Sequence, residues 1–178
     1  MLKNLINKIN DTAFNELIDN FLNDKNKVSI LSKGGFKTVL SHLNITDKNV
    51  EETDYVFISI LNTDVVGDNI GYFENNKSNV LILKFDDIVE DIEIKPGLFA
   101  KTITDNQSKE IISFIKSNKE KIIGGSKCVI HCSAGVSRSG AVGTFINEYF
   151  SFDTNYFNHF NQNIKPNPLV LKKLNKFI

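Results

Sequence analysis

Residues 131–140 read His131-Cys132-Ser133-Ala134-Gly135-Val136-Ser137-Arg138-Ser139-Gly140, with a cysteine near the start, an arginine six positions later and small residues between them. Arg138 is the only arginine of the chain, whose other basic side chains are 20 lysines and three histidines. Lysine therefore suffices wherever the chain needs only positive charge. Arginine differs because its rigid planar fork of donors can grip a phosphate group through two parallel hydrogen bonds. The stretch is predicted to bind phosphate.

The segments on both sides of this stretch predict the geometry of an anion-binding loop. The β-branched run Lys127–His131 has the pattern of a buried strand, and a helical pattern follows from Ala141. Between a strand and a helix, the backbone N–H groups of residues 133–138 can point inward, and the helix adds its positive end. Gly135 is free to take a φ angle that other residues avoid. Because such surroundings lower the pKa of a cysteine from about 8.5 to roughly 3.5–7.5, Cys132 is a candidate nucleophile.

Length and composition fit one globular domain without a strongly charged binding surface. The chain has 178 residues, of which 41% are hydrophobic and 24% charged, and 21 basic residues balance 21 acidic ones. A net charge of zero gives no reason to expect binding to nucleic acid or to an anionic membrane. No apolar run approaches the length of a membrane span, and the first residues lack the apolar stretch of a signal peptide. We expect a cytoplasmic protein, because a free reactive thiol suits a reducing compartment.

Strand and helix patterns alternate along the chain. A capping box at 104–107 predicts the start of a helix, and helical spacing in residues 1–26 predicts two short amphipathic helices. We expect these two helices to pack on the domain, with docking to a partner as the alternative. Short apolar runs predict buried strands at 27–31, 55–61, 79–85 and 127–131. The predicted fold is α/β, with an N-terminal helical extension over 1–26 and a single domain over 27–178 whose central, mainly parallel sheet is flanked by helices.

The stretch around Cys132 resembles the signature loop of the cysteine-based protein tyrosine phosphatase superfamily. Its form Val136-Ser137-Arg138-Ser139 is more similar to the dual-specificity branch than to the large receptor-type enzymes. The segments Val80–Asp87 and Lys165–Leu174 also resemble small bacterial and viral members of that branch, so the resemblance covers about residues 27–176. It implies a protein tyrosine phosphatase-like fold. It also implies hydrolysis of phosphate monoesters through a phosphocysteine intermediate, without a metal or other cofactor.

The resemblance implies a role for each residue of the loop. Cys132 would attack phosphorus, while Arg138 and the backbone amides of the loop would hold the phosphate oxygens. Ser139 would donate a hydrogen bond that helps the sulfur leave in the second step, and His131 would be structural and order the loop. The implied phosphate-binding residues are Ser133, Ala134, Gly135, Val136, Ser137 and Arg138.

A carboxylic acid should protonate the leaving oxygen and then activate water, and three aspartates are candidates. Asp86 and Asp87 end the strand predicted at 79–85, where the chain should emerge on the loop's side of the sheet. Alignment of that strand end with the family's pattern favours Asp87, while Asp86 and Asp91 stay possible. The 45 positions from Asp87 to Cys132 exceed the spacing in compact members of the branch, which leaves the choice of acid open.

The resemblance favours a phosphorylated protein as substrate and a tyrosine or dual-specificity phosphatase as the activity. A lipid, nucleotide or RNA phosphatase of the same fold stays possible, although loops that bind polyanionic inositol lipids tend to carry lysines and this loop carries none. A phosphoprotein-binding module without turnover is a further alternative, disfavoured by the intact Cys132, Arg138 and Ser139. The sequence leaves the oligomeric state open.

The second cysteine and the remaining histidines receive structural interpretations. Cys128 precedes Cys132 by four strand residues, or roughly 13 Å of extended chain. This spacing favours a buried core side chain over a resolving thiol that would form a disulfide with Cys132. His42 and His159 lack neighbouring ligands at metal-binding spacing, so we expect no metal site.

Overall fold

A four-stranded parallel sheet forms the centre of the computed structural model, which describes residues 12–13, 15–22, 25–68 and 71–178. The strands in chain order are β1 (Val28–Ser32), β2 (Tyr55–Leu61), β3 (Val80–Lys84), β4 (Ile92–Lys95), β5 (Leu98–Ala100) and β6 (Lys127–Cys132). The sheet has the order β1-β6-β2-β3 with every neighbouring pair parallel, and β4 and β5 form a separate antiparallel hairpin. The predicted single α/β unit with a central parallel sheet is confirmed.

Side-chain caps explain where most of the helices begin. The helices are α1 (Lys33–His42), α2 (Asp105–Ser117), α3 (Lys119–Gly124), α4 (Arg138–Tyr149), α5 (Thr154–Phe160) and α6 (Pro168–Asn175). Ser32, Asp153 and Asn167 accept hydrogen bonds from first-turn amides of α1, α5 and α6. Thr104 and Gln107 form the predicted capping box at the start of α2. A 3₁₀ turn, Val50–Glu52, precedes β2.

Alternate side chains of the strands point to opposite faces of the sheet and build two cores. On one face Val56, Ile58 and Ile60 of β2 belong to a cluster with α2, α4 and α6, through Ile111, Phe145 and Leu174. On the other face Phe57 and Val129 pack with Phe36 of α1. Each fully buried side chain of this size contributes about 1.5–3 kcal/mol relative to an exposed one. The sheet is therefore the middle of three layers.

The N-terminal region contributes to the second core. Residues 15–22 are helical, and Ile18 and Phe21 are only 4% and 5% exposed within the cluster that contains Phe57. This packing agrees with the expectation for the second of the two amphipathic helices. The first predicted helix lies outside the described residues, and the division of the chain at residues 26 and 27 stays a prediction.

Two details differ from the sequence pattern. The helix after Cys132 begins at Arg138 rather than Ala141, because the backbone of Ser137 already has helical dihedral angles. The β4–β5 hairpin was not predicted; its strands are exposed on both faces except at Ala100, so no buried run marks it. The hairpin lies between Asp87 and Cys132 and accounts for part of their long separation.

The described helices and acidic, cysteine and histidine side chains bear on membrane crossing and metal binding. Among the described residues, no helix combines the length and the apolar character that crossing a bilayer requires. Within the same ranges, no group of three or more His, Cys, Asp or Glu side chains could hold a metal ion.

Candidate active site

The segment that joins β6 to α4, here called the cysteine loop (residues 132–138), lies at the carboxyl edge of the parallel sheet. Strand β6 is an inner strand between β1 and β2, and Cys132 is its last residue. In parallel sheets the ends of such strands are where ligands bind. The sheet therefore places Cys132 where a substrate can approach from the carboxyl edge.

Hydrogen bonds from neighbouring segments to the carbonyl groups of the loop hold it in position. Backbone N–H groups of Lys33, Lys165 and Asn167 donate to the carbonyls of Ser133, Val136 and Ser137 at 3.1, 3.0 and 3.2 Å. These bonds occupy carbonyl oxygens on the outside of the loop. They leave its amide N–H groups available for a sulfur or an anion.

Gly135 is required by a close approach between the loop and strand β1. Its φ is +73°, and a Cβ there would lie 2.4 Å from the backbone nitrogen of Ser32 and 2.5 Å from the carbonyl carbon of Leu31. A Cβ cannot fit at these distances from backbone atoms, so only glycine is compatible with this loop path.

The sulfur of Cys132 is surrounded by hydrogen-bond donors. The side chain is 2% exposed, and its Sγ lies 3.1 Å from Ser139 Oγ. Burial alone would raise the pKa of the thiol. The Ser139 hydroxyl and the backbone amides of Ser139, Val136 and Gly135 outweigh burial and hold the pKa of Cys132 below its usual value. This arrangement favours the thiolate.

Helix α4 begins next to the Cys132 sulfur, and its first turn has no side-chain cap. Ser137 occupies the N-cap position, yet its side chain makes no capping hydrogen bond to the helix and donates instead to Asp87 Oδ1 at 2.6 Å. An uncapped helix N-terminus presents free N–H groups and a partial positive charge. Both stabilise negative charge on the sulfur or on a bound anion.

Arg138 is buried and held in a defined orientation. It is 3% exposed, and its Nη1 donates to the carbonyl oxygens of Phe85 and Leu61 at 2.7 and 3.3 Å. Its Nη2 lies 3.3 Å from Ser133 Oγ, and its buried Nε has no hydrogen-bond partner in the described part of the chain. A buried donor without a partner is costly unless a ligand completes it. Nε and Nη2 together form the edge of the fork that an oxyanion would engage.

His131 is fully buried and bonded to the sheet. Its Nε2 lies 2.9 Å from Ser59 Oγ on the neighbouring strand β2, and its ring stacks on Phe36 with centroids 4.1 Å apart. Burial is the main cause that lowers the pKa of His131 to about 4. The imidazole is therefore neutral at pH 7, which agrees with a structural rather than an acid–base function.

Of the three candidate acids, Asp87 is the one that contacts the cysteine loop. Its Oδ1 accepts from Ser137 Oγ at 2.6 Å and from Asn167 Nδ2 at 3.0 Å. The side chain is exposed, as a proton donor to a substrate must be. The role of Asp87 as the general acid stays a prediction.

Asp86 and Asp91 are engaged elsewhere. Asp86 is 3% exposed and accepts hydrogen bonds from Thr63 N, Thr63 Oγ1 and Lys101 N at 2.9, 2.7 and 2.8 Å. Its carboxyl group thus joins the segments that contain residues 63 and 101. Asp91 accepts from the backbone N–H of Thr102, and this bond and the Lys101 ammonium lower the pKa of Asp91 to about 2. These contacts hold the Asp91 carboxylate against residues 101 and 102 rather than against the cysteine loop.

The structure also places a carboxylate near the loop that the sequence did not single out. Asp68 accepts from Ser133 Oγ at 3.4 Å and pairs with the ammonium of Lys33. Its φ is +52°, in the left-handed region. The Lys33 hydrogen bond is the main cause that lowers the pKa of Asp68, so this carboxylate next to Ser133 is ionised at neutral pH.

The fold can be compared with solved structures. The structure of the human tyrosine phosphatase-like serine/threonine/tyrosine-interacting protein is similar with a TM-score of 0.51 at 17% identity, covering 85% of this chain and 90% of that one. This chain has the tyrosine phosphatase-like fold. The fold expected from the cysteine loop is thereby confirmed.

Two further solved structures have lower TM-scores. Structures of PTPMT1 in complex with PI(5)P and of Tk-PTP in the active form share 18% and 19% identity, each over 75% of this chain and over 83% and 88% of theirs, with TM-scores of 0.41 and 0.35. No model of a protein family matches the sequence, and no curated protein matches it.

Within the tyrosine phosphatase-like fold, several predicted site residues come together and two further ones join them. The Cys132 sulfur contacts Ser139, Arg138 contacts Ser133 within the cysteine loop, and Asp87 contacts the loop through Ser137. Asp68 carries no signal in the sequence. Asn167 carries a partial one, because asparagine before a proline is typical of a helix start, but that pattern does not reveal its contact with Asp87. The chemical roles of these residues remain predictions.

Proposed function

We propose that this chain is a metal-independent phosphomonoester hydrolase that acts through a phosphocysteine intermediate. The observation that carries the proposal is the surroundings of Cys132, a buried sulfur with a lowered pKa inside a ring of N–H donors. Arg138, at the other end of the same loop, has a buried Nε without a partner among the described residues. A thiolate can attack phosphorus and a planar cationic fork can bind its oxygens, so one loop supplies both the nucleophile and the charge stabilisation of an in-line phosphoryl transfer.

The first step transfers the phosphoryl group to sulfur. The Cys132 thiolate attacks phosphorus, an S–P bond forms, and the bond between phosphorus and the ester oxygen breaks. Arg138 and the loop amides bind the three non-bridging oxygens. Asp87 gives its proton to the departing oxygen, which leaves as an alcohol or phenol.

The second step regenerates the thiolate. Asp87, now ionised, accepts a proton from a water molecule whose oxygen attacks phosphorus. The S–P bond breaks, inorganic phosphate leaves, and the electron pair returns to Cys132. The Ser139 hydroxyl, 3.1 Å from the sulfur, donates a hydrogen bond to the developing thiolate.

We infer that the substrate is a phosphorylated protein, with phosphotyrosine or both phosphotyrosine and phosphoserine/threonine as targets. The loop offers no lysine that would match the extra phosphates of an inositol lipid. Both cysteines are free, so the proposed nucleophile requires a reducing compartment, and we propose the cytoplasm.

Hydrolysis of a small aryl phosphate in the presence of a metal chelator tests the proposal. We expect turnover by the wild type and none by Cys132→Ser, and we expect acid quench of the wild type to trap phosphate on Cys132. The serine variant should still bind tungstate, because the loop amides and Arg138 remain. A wild-type protein that binds a phosphotyrosine peptide without hydrolysing it would favour the phosphoprotein-binding module instead.

A further inference from the structure

Asn167 joins three parts of the candidate site although it lies outside the cysteine loop. It is 4% exposed, and its backbone N–H donates to the carbonyl of Ser137 at 3.2 Å. Its side-chain Nδ2 donates to Asp87 Oδ1 at 3.0 Å and lies 3.5 Å from the carbonyl of Ile88. One buried residue thus links the start of α6, the cysteine loop through its backbone, and the segment that carries Asp87 through its side chain.

The orientation of the Asn167 amide follows from its other contacts. Its Oδ1 accepts from the backbone N–H groups of Leu169 and Val170 at 3.0 and 3.2 Å. Those two groups can only donate, so they must face an oxygen. The nitrogen of the amide therefore faces Asp87, and its N–H can only donate to the carboxyl group.

The described residues hydrogen-bond to one oxygen of Asp87 and not the other. Oδ1 receives Ser137 Oγ at 2.6 Å and Asn167 Nδ2 at 3.0 Å. A proton on Oδ1 would compete with the amide N–H of Asn167 for the same lone pairs. When Asp87 is protonated, its proton is consequently favoured on Oδ2.

We propose that Asn167 is a positioning residue that selects Oδ2 of Asp87 as the proton-donating oxygen and fixes the direction in which it points. The inference rests on the proposed function, since it concerns the acid of that reaction. It adds a residue that lies outside the cysteine loop and 29 positions beyond Arg138 in the sequence. Positioning matters because a displacement of about 1 Å at a reacting group can cost about 10²-fold in rate.

Two substitutions remove the donor and keep the helix cap. Serine and aspartate are both good N-cap residues, so Asn167→Ser and Asn167→Asp should retain the start of α6. The Ser variant loses the contact with Asp87 without adding charge. The Asp variant places a second carboxyl group against Oδ1, so that a shared proton lies between the two groups and away from Oδ2.

The experiment measures kcat and KM with a phosphotyrosine peptide and with an activated aryl phosphate, whose leaving group needs no proton. For Asn167→Ser we expect kcat on the peptide to fall by roughly tenfold or more, with KM little changed and a smaller fall on the aryl phosphate. For Asn167→Asp we expect a larger fall on the peptide. For the same variant, the basic limb of the profile of kcat/KM against pH should move to higher pH. The reason is that two adjacent carboxyl groups, at positions 87 and 167, disfavour each other's ionisation.

Asp153→Ala is the matched control, because it removes the cap of α5, where Asp153 accepts from Tyr156 N at 3.0 Å, without touching Asp87. This variant should lose stability but keep the leaving-group dependence and pH profile of the wild type. If both Asn167 variants match the wild type on both substrates and in pH profile, the positioning role is overturned. Equal losses on both substrates, with an unmoved basic limb, also overturn it. A wild type inactive on both substrates would overturn the proposed hydrolase itself.

Discussion

The hydroxyl oxygen of Ser139 lies 3.1 Å from the sulfur of Cys132, and both side chains are buried. Burial of a thiolate is costly unless donors surround it, and this hydroxyl works together with the amides of Gly135, Val136 and Ser139. The pKa of Cys132 is consequently lowered although the sulfur is removed from water.

Alkylation of the native protein should report this lowered pKa. The rate of reaction of Cys132 with iodoacetamide follows the thiolate fraction, so its midpoint against pH should lie below the value of about 8.5 for an ordinary cysteine. Ser139→Ala removes one donor to the thiolate and should raise the midpoint. A midpoint that is the same in the variant and the wild type would contradict a role for the Ser139 hydroxyl.

Cys128 provides an internal control for that experiment. It is fully buried in β6, and burial raises the pKa of its thiol to about 12. We expect one cysteine to be modified in the native protein and two after denaturation, as counted by intact mass. Modification of Cys128 under native conditions would show that the strand opens.

Arg138→Lys should keep the charge and lose the fork. Arg138 donates through Nη1 to the carbonyls of Phe85 and Leu61 and through Nη2 to Ser133 Oγ, while its Nε has no partner among the described residues. A lysine ammonium cannot bond the backbone and two phosphate oxygens in this geometry. We expect a fall of at least ~10²-fold in kcat, beyond any rise in KM, because the fork should fit the planar transferring group best. Near-normal kcat would contradict bidentate binding.

The fold and the cysteine loop could be predicted from the sequence because each of their patterns lies within one continuous stretch. The buried strands read as apolar runs, and the loop from Cys132 to Ser139 is one continuous stretch between a strand and a helix. The β4–β5 hairpin was missed because Ile92, Ile94 and Leu98 are 44%, 49% and 48% exposed, so its pattern records no burial. The contact between Asn167 and Asp87 spans 80 positions, and only the fold brings the two side chains together.

Asp87→Asn tests the general acid. Loss of such an acid typically costs about 10²–10⁴-fold, and only where the leaving group needs a proton. We expect hydrolysis of a phosphotyrosine peptide to slow by at least ~10²-fold, hydrolysis of an activated aryl phosphate to slow much less, and the basic limb of the pH–rate profile to flatten.

Asp91→Asn is the matched control for that substitution. Asp91 bonds Thr102 and Lys101, so its loss should leave the leaving-group dependence unchanged. Asp86→Asn is less suitable, because the buried Asp86 carboxylate accepts three hydrogen bonds and its neutral replacement should destabilise the protein. If Asp91→Asn rather than Asp87→Asn flattened the basic limb, the acid would lie further along the loop.

His131 should make the protein less stable in mild acid. Its pKa is lowered by burial to about 4 in the folded state, against about 6.5 in the unfolded chain. Between these values the unfolded state binds a proton that the folded state does not. The stability from the neutral His131 is therefore present above pH 6.5 and lost as pH falls towards 4, by up to about 3 kcal/mol.

Urea unfolding at several pH values between 7 and 4.5 measures this loss. Because the chain has no tryptophan, far-UV circular dichroism is a suitable probe. His131→Asn cannot take up that proton, so its free energy of unfolding should change less over this interval, whatever its absolute value. The quantity compared is the change of the free energy of unfolding with pH. It is separate from the pH-independent loss of the Ser59 hydrogen bond and of stacking on Phe36 in the variant. The same dependence on pH in the variant and the wild type would mean that the pKa of His131 does not differ between the folded and unfolded states.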